Sequence, residues 1–328
     1  MTDLAQINLN MIHAAAARLA GHARVTPLLN APLLDRMAGR RIFVKAECLQ
    51  WTGSFKFRGG WAAVSALSPD LRALGVIAYS SGNHAQGVAL AAAMHDVPAV
   101  IVMPADAPSV KIQNTKAYGA EVVLYDRDRD DRDVLGAAIA TARGLTLIRP
   151  YDNEQVIAGQ GTVGLEIAEQ AAEAAIHDAT VITCCGGGGL TSGVALALEA
   201  RAPGLVVRTA EPEGFDDVAR SLASGQLERN LRASGSVCDA IVTPSPGVLT
   251  FPILKRLCGE GLVVSDDQAL QAMALAFAHL RIVIEPGGAV ALAAALFSRD
   301  LPETVICTAS GGNVDPELFA EVLARFPG

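Results

Sequence analysis

The chain has 328 residues, 51% of them hydrophobic and 18% charged, with a formal net charge of −8. That length suggests about two domains, and that composition excludes a disordered chain. The acidic balance excludes a general nucleic-acid binder, which would carry a basic footprint. Mean hydropathy is +0.33, yet apolar runs such as AVALAAALF (289–297) are short. A spanning helix needs roughly 18 or more consecutive apolar residues, so no membrane partner is expected. The opening MTDLAQINLN carries Asp3 and no Lys or Arg, unlike a secretory leader. Cys48, Cys184, Cys185, Cys238, Cys258 and Cys307 show no Cys-x-x-Cys spacing. Neither a disulfide framework nor a zinc site is expected, and a reducing cytoplasm is the default.

From residue 42 onward, β-rich runs alternate with helical stretches. IFVKA (42–46), GVIAYS (75–80), AVIVMP (99–104), EVVLYD (121–126) and LTLIRP (145–150) read as strands. TVITCC (180–185), GLVVRTAE (204–211) and TVICTAS (304–310) continue the series. Ala-rich periodic segments lie between them, at 85–95, 108–118, 159–175, 190–201, 266–280 and 315–325. Apolar strands alternating with helices predict an α/β fold with parallel sheets covered by helices on both faces. Ligands in such sheets sit beyond the carboxyl ends of strands. Three Gly-rich loops fall there: SSGNHAQG (80–87), GGGGLTSG (186–193) and SGGN (310–313). DRDRDDRD (126–133) is a charge run whose signs nearly cancel.

The segment GSFKFRGG (53–60) sets Lys56 between two phenylalanines, in a chain with only five lysines. Desolvation beside aromatics would lower its pKa and make it an amine nucleophile capable of a Schiff base. The alternative is a surface lysine with its stem on an apolar patch. The four glycines Gly186, Gly187, Gly188 and Gly189 allow close backbone approach. With the free N–H groups of the following helix they form an anion site suited to phosphate. There is no G-x-x-x-x-G-K-[ST] and no G-x-G-x-x-G after the first strand, so nucleotide folds are poorly supported. A phosphate site with a Schiff-base lysine points to pyridoxal phosphate.

SFKFRG, SSGNHAQG, AGQGT (158–162), GGGGL and SGGN occur in that order over about residues 20–315. In this the chain resembles the fold type II pyridoxal phosphate (PLP) enzymes of the serine/threonine dehydratase and serine racemase group. The resemblance implies a tryptophan synthase beta-like fold with two open parallel sheets and the cofactor between a large and a small domain. Residues 1–74 and 153–328 would form the large PLP-binding domain, and 75–152 the small one. Lys56 would hold PLP as a Schiff base and shuttle the Cα proton. Gly186 to Gly189 with Leu190 would cradle the phosphate, Asn83 would bond the 3′ oxygen, and Phe55 would pack on the ring.

Ser310 would meet the pyridine nitrogen. A hydroxyl there does not force protonation as a carboxylate would, which suits β-elimination over transamination; alternatively Ser310 is a helix-start hydroxyl. Ser80, Ser81, Asn83 and His84 would bind the substrate α-carboxylate. Ser81 would be a second acid/base opposite the lysine, or merely a turn residue. His84 is either a ligand or a satisfied polar residue.

Two features resemble the racemase-like branch. AEPEGFDD (210–217) matches its cation site, with carboxylates of Glu211 and Asp217 and the carbonyl of Phe215 suiting Mg²⁺, Ca²⁺ or Mn²⁺; the alternative is a solvated acidic loop. Arg132 matches an arginine that reaches a substrate dicarboxylate, or else sits at an exposed helix start capped by Asp130 or Asp131. CDAIVTPSPG (238–247) departs from the family, with Ala240 where relatives have glycine, so substrate preference is not carried over. The short segment after SGGN leaves no room for a regulatory domain, and feedback by isoleucine is not expected.

The expected activity is a PLP-dependent dehydratase (ammonia-lyase) of a 3-hydroxy amino acid, either 3-hydroxyaspartate or serine/threonine. A serine or aspartate racemase with side dehydration, and an inactive PLP-fold binding protein, are the alternatives. A homodimer is implied by the resemblance alone.

Overall fold

Valine and isoleucine are frequent in Val76–Tyr79, Ala99–Pro104 and Ala179–Cys184, which are buried from end to end, as helix-covered parallel sheets require. The computed structural model describes residues 7–80, 82–107, 109–126 and 129–327. Among them are the strands β1 Leu28–Asn30, β2 Arg41–Lys45, β3 Val76–Tyr79, β4 Ala99–Pro104 and β5 Glu121–Tyr125. The remaining strands are β6 Thr146–Leu147, β7 Ala179–Cys184, β8 Leu205–Pro212, β9 Leu262–Val264 and β10 Thr304–Thr308. They make a six-stranded sheet in the order β1-β2-β10-β7-β8-β9 and a four-stranded sheet in the order β5-β4-β3-β6. The fold class is therefore α/β with two mainly parallel sheets.

One pairing departs from the expected parallel sheets: β1 runs antiparallel to β2. The link from Asn30 to Arg41 is shorter than the dozen or so residues a parallel crossover needs. β1 and β9 are three-residue strands, too short for a periodic signal, and neither is read from the sequence. LTLIRP contributes only Thr146 and Leu147 to the sheet, paired with Val76 and Ile77. The chain then leaves β6 toward the cavity described below. The segment 266–280 is an α-helix, Asp266–Leu275, continued by a π-helical turn, Ala276–Leu280.

GSFKFRGG belongs to a helix not read from the sequence, Lys56–Ser65. It packs between the helices Asn83–Met94 and Glu154–Glu173, and glycines make both crossings tight. A Cβ on Gly60 would lie 2.8 Å from the Gly87 carbonyl oxygen, and one on Gly87 would lie 2.8 Å from the Lys56 carbonyl carbon. A Cβ on Gly159 would lie 2.5 Å from the Arg58 carbonyl oxygen. The glycines of AGQGT are thus interior helix residues that admit a neighbouring backbone.

Arg58, 1% exposed, anchors the opposite side of the lysine helix. Its guanidinium bonds Glu47 at 2.8 Å through both Nε and Nη2, and Glu166 at 2.6 Å through Nη1. Lys45 Nζ reaches the same Glu166 and the carbonyl of Thr26. Burial would raise the Glu47 carboxyl, but Arg58 and then Lys45 overturn this and hold it below its usual range. Removing one partner of such a cluster leaves a buried charge uncompensated. Arg58→Met should therefore lower unfolding free energy by about 3–5 kcal/mol in chemical denaturation; a change within the error of the measurement would contradict this role.

Candidate active site

The cavity opens where the carboxyl ends of β3, β7 and β10 converge. Phe55, Lys56, Ser80, Asn83, His84, Arg132, Gly186 to Leu190 and Ser310 all line it. Every cofactor and substrate residue expected from the sequence is in its wall except Ser81, which lies outside the described residues.

Lys56 opens its helix, with its Nζ donating to the Pro150 carbonyl oxygen at 2.8 Å and lying 5.2 Å from the Phe55 ring centroid. Burial pushes its pKa down to about 8. A buried amine with no carboxylate partner among the described residues loses its proton readily, which is the state a nucleophile or base needs. Burial, and then the Lys56 charge, push His84 down to about 3. The neutral ring donates from Nε2 to the Ile148 carbonyl at 3.0 Å. Its Nδ1 has no partner among the described residues and remains an acceptor. His84 is thus half satisfied by the fold, between the two readings of the sequence.

The glycine loop ends in the helix Gly189–Arg201, whose N-cap Gly188 has φ +90° and offers no side-chain cap. The first-turn N–H groups therefore open onto the cavity, with the positive end of the helix dipole behind them. The other glycines answer to packing. A Cβ on Gly187 would overlap the Tyr151 ring, and one on Gly186 would lie 2.8 Å from the Ile241 carbonyl oxygen. Uncapped amides beside a desolvated, readily deprotonated lysine fit the phosphate and aldehyde of PLP.

Asn83 is held from two distant segments. Its Nδ2 donates to Glu285 Oε1, and its Oδ1 accepts from Asn313 Nδ2 at 2.7 Å. Ser310 is not a helix start, since the next helix begins at Pro316. Its carbonyl oxygen accepts from Phe55 N at 3.2 Å, which ties SGGN to SFKF. Ser80 Oγ accepts from Gly82 N at 3.1 Å, shaping the turn.

Arg132 begins the helix Arg132–Arg143, capped by Asp131, and its side chain also lines the cavity. Its guanidinium carbon lies 5.4 Å from the Tyr79 ring centroid, and its Nε is 3.7 Å from Asp133 Oδ2. Lys111 and Tyr151 also line the cavity and were missed by sequence reasoning. Lys111 Nζ stands 3.7 Å from Asp239 Oδ2. It carries no motif; its scarcity among side chains dominated by arginine was the one available signal.

The expected cation residues are not among those lining the cavity. Glu211 accepts from the amides of Val218 at 2.9 Å and Ala219 at 2.7 Å. Burial, then Asp217, raise it well above the usual carboxylate range. Burial pushes Asp217 up to about 7, and its Oδ2 has no partner among the described residues. Phe215 is buried, its amide bonded to the Pro212 carbonyl. Among the described residues no group of three or more His, Cys, Asp or Glu converges as a metal cluster. Two buried carboxylates, one with a bare oxygen, fit an oxygen-ligated cation, with any further donors not being acidic side chains.

Residues 19–311 match the family described as pyridoxal-phosphate dependent enzyme. The chain belongs to that family. It is 41% identical over 311 residues to an L-threo-3-hydroxyaspartate ammonia-lyase from Pseudomonas sp., covering 94% of this chain and 96% of that protein. It is 37% identical over 325 residues to a serine racemase of Oryza sativa subsp. indica, covering 97% and 94%. The crystal structure of a threonine deaminase from T.th. superposes with a TM-score of 0.89 at 43% identity, covering 94% of this chain and 99% of that one. As a family member the chain has its lysine, its uncapped helix and its polar wall on one cavity.

Gly187→Ala should drive the Tyr151 ring into the loop. Overpacking of roughly 1–3 kcal/mol should weaken PLP binding in a fluorescence titration, and adding Tyr151→Ala should restore part of it. No loss with Gly187→Ala would contradict the packing account of this glycine.

Proposed function

We propose that the protein is a PLP-dependent dehydratase (ammonia-lyase) that converts a 3-hydroxy amino acid, foremost 3-hydroxyaspartate, to a 2-oxo acid and ammonia by β-elimination. One observation carries the reading. The cavity joins a readily deprotonated Lys56 and an uncapped helix N-terminus to two further cations, Lys111 and Arg132. A monocarboxylate does not use that much positive charge; a dicarboxylate does.

When bound, PLP supplies a carbonyl for the substrate amine and an electron sink for the Cα carbanion. Lys56 would hold the cofactor through its Nζ and would act as the general base for the substrate Cα proton. The amides of Gly186 to Leu190 hold the phosphate. Asn83 is oriented by Glu285 and Asn313 toward the 3′ oxygen, Phe55 packs on the ring, and Ser310 meets its nitrogen without a charge. The Ser80–His84 turn binds the α-carboxylate, and Arg132 binds the distal one. In net terms the Cα proton and the β-hydroxyl would leave as one water, and the enamine would take up one water to give the 2-oxo acid and ammonia. Glu211, Asp217 and the Phe215 carbonyl hold Mg²⁺, Ca²⁺ or Mn²⁺.

We carry three coarser expectations into the same proposal: a large domain of 1–74 with 153–328 beside a small domain of 75–152, a homodimer, and a cytoplasmic enzyme. No helix among the described residues is long and apolar enough to cross a membrane.

The second reading is amino-acid racemisation, supported by the likeness to serine racemase. It would need Ser81 as the opposite-face base, and Ser81→Ala should then remove racemisation while sparing elimination.

The direct test is 2-oxo acid release from 3-hydroxyaspartate isomers, serine and threonine. Arg132→Ala should lower kcat/KM for hydroxyaspartate roughly 10- to 100-fold, the worth of a charged hydrogen bond, and leave serine nearly unchanged. Equal losses on both substrates would sink the dicarboxylate reading. Lys56→Ala should lower kcat by about 10²- to 10⁴-fold for loss of the base alone. Mg²⁺ should raise the Tm of the native protein and not of Asp217→Asn, and an equal rise in both would remove Asp217 from the cation site.

A further inference from the structure

The charge run 126–133 has five aspartates among its eight residues. Yet among the described residues Arg132 pairs with only one of them, Asp133, whose Oδ2 stands 3.7 Å from Arg132 Nε, beyond hydrogen-bond range. The neighbouring aspartates are engaged elsewhere. Asp131 Oδ1 accepts from the amides of Asp133 at 2.8 Å and Val134 at 3.1 Å. Asp130 Oδ2 accepts from the Asp126 amide at 2.9 Å. What holds Asp133 off the guanidinium is therefore the point to explain.

Tyr79 is the side chain that meets both. It ends β3, is 5% exposed and lines the cavity. A Cβ on Gly136 would lie 3.3 Å from its Cδ1, so the helix Arg132–Arg143 rests directly on the ring. Arg132 lies one turn before Gly136 on the same helix face, and its guanidinium carbon is 5.4 Å from the ring centroid. A cation at that distance over an aromatic face is attracted by the ring quadrupole. The hydroxyl of the same ring meets Asp133. Burial, then the hydrogen bond to Asp133, push the phenol pKa up against the opposing charges of Arg149 and Arg132. The phenol therefore keeps its proton and donates it to the carboxylate. One side chain shelves Arg132 and engages the aspartate beside it.

We propose that Tyr79 is a positioning residue for the distal carboxylate of a short dicarboxylate: its ring holds the Arg132 guanidinium on the cavity wall, and its hydroxyl keeps Asp133 from closing on that guanidinium. An Asp133 carboxylate in contact with Arg132 would stand where the ligand's carboxylate has to bind, and the two would compete. The inference rests on the proposed role of Arg132. It adds the reason why an arginine set in an acidic run stays open to an acidic ligand. A monocarboxylate does not use this arrangement, so Tyr79 acts on selectivity.

The experiment is isothermal titration of succinate, a four-carbon dicarboxylate without an amine, into holoenzyme, alongside kcat/KM for 3-hydroxyaspartate and serine. Tyr79→Phe keeps the ring and releases Asp133. It should weaken succinate binding roughly 2- to 10-fold, the worth of one hydrogen bond, and lower the hydroxyaspartate-to-serine ratio of kcat/KM through KM. Adding Asp133→Asn should recover most of that loss, because the competitor has lost its charge. In an Arg132→Ala background Tyr79→Phe should change neither quantity further, a coupling that a merely structural tyrosine would not show. Equal losses with and without Arg132, or no recovery with Asp133→Asn, would overturn the inference. So would succinate binding that Arg132→Ala weakens and Tyr79→Phe does not, a result that leaves the dicarboxylate reading standing. Succinate that fails to bind the native holoenzyme, or binds Arg132→Ala equally well, would remove the reading and the inference together, so the two failures are distinguishable.

Discussion

The site depends on keeping one amine away from water. Lys56 is half-buried with its amine desolvated, is bonded to a carbonyl, and has no carboxylate among the described residues to hold its proton. Desolvation penalises its charge, and the fold has to be tight enough to sustain that penalty. The glycine crossings do this. With Gly60 against Gly87, and Gly159 against the Arg58 carbonyl, neighbouring helices close on the lysine helix without side chains between them. Arg58 then fastens the outer face to Glu47 and Glu166. Carboxylates are thus close to the lysine helix, but they are engaged by Arg58 and Lys45 rather than by Lys56.

Charge is arranged by the same logic on the other walls. The helix Gly189–Arg201 leaves its first amides free, which favours an anion at the glycine loop. His84 is held neutral and does not compete for that anion or add to the charge beside Lys56. Lys111 and Arg132 add positive charge to the cavity wall, each 3.7 Å from an aspartate oxygen. Under the proposed function those pairings would give way to a substrate carboxylate in closer contact. The acidic net charge of the chain thus coexists with a cation-rich cavity.

Much of this was legible in the sequence. Strands buried on both faces, such as AVIVMP and TVITCC, announce themselves as continuous apolar runs between turn signals. Leu28–Asn30 and Leu262–Val264 do not, because three residues cannot show a period. Lys56 stood out because its neighbours are aromatic and glycine, and GGGGL stood out as a loop. The reason for Gly187 did not, since it depends on Tyr151. Asn83 was found through its motif, but its supports were invisible: Glu285 is 202 positions away and Asn313 is 230. Lys111 has no local motif and enters the cavity only through the packing of its helix. Long-range partners of this kind are decided by tertiary contacts, not by any window of sequence.

The measurement closest to the central claim is the pH dependence of PLP uptake by the cofactor-free protein. Schiff-base formation needs the neutral amine, so the uptake rate should rise with pH through a midpoint near the value of about 8 that burial gives Lys56. A midpoint near 10.4, the ordinary value for an exposed lysine, would contradict the account. It would mean that the amine is solvated and that the glycine crossings do not serve it.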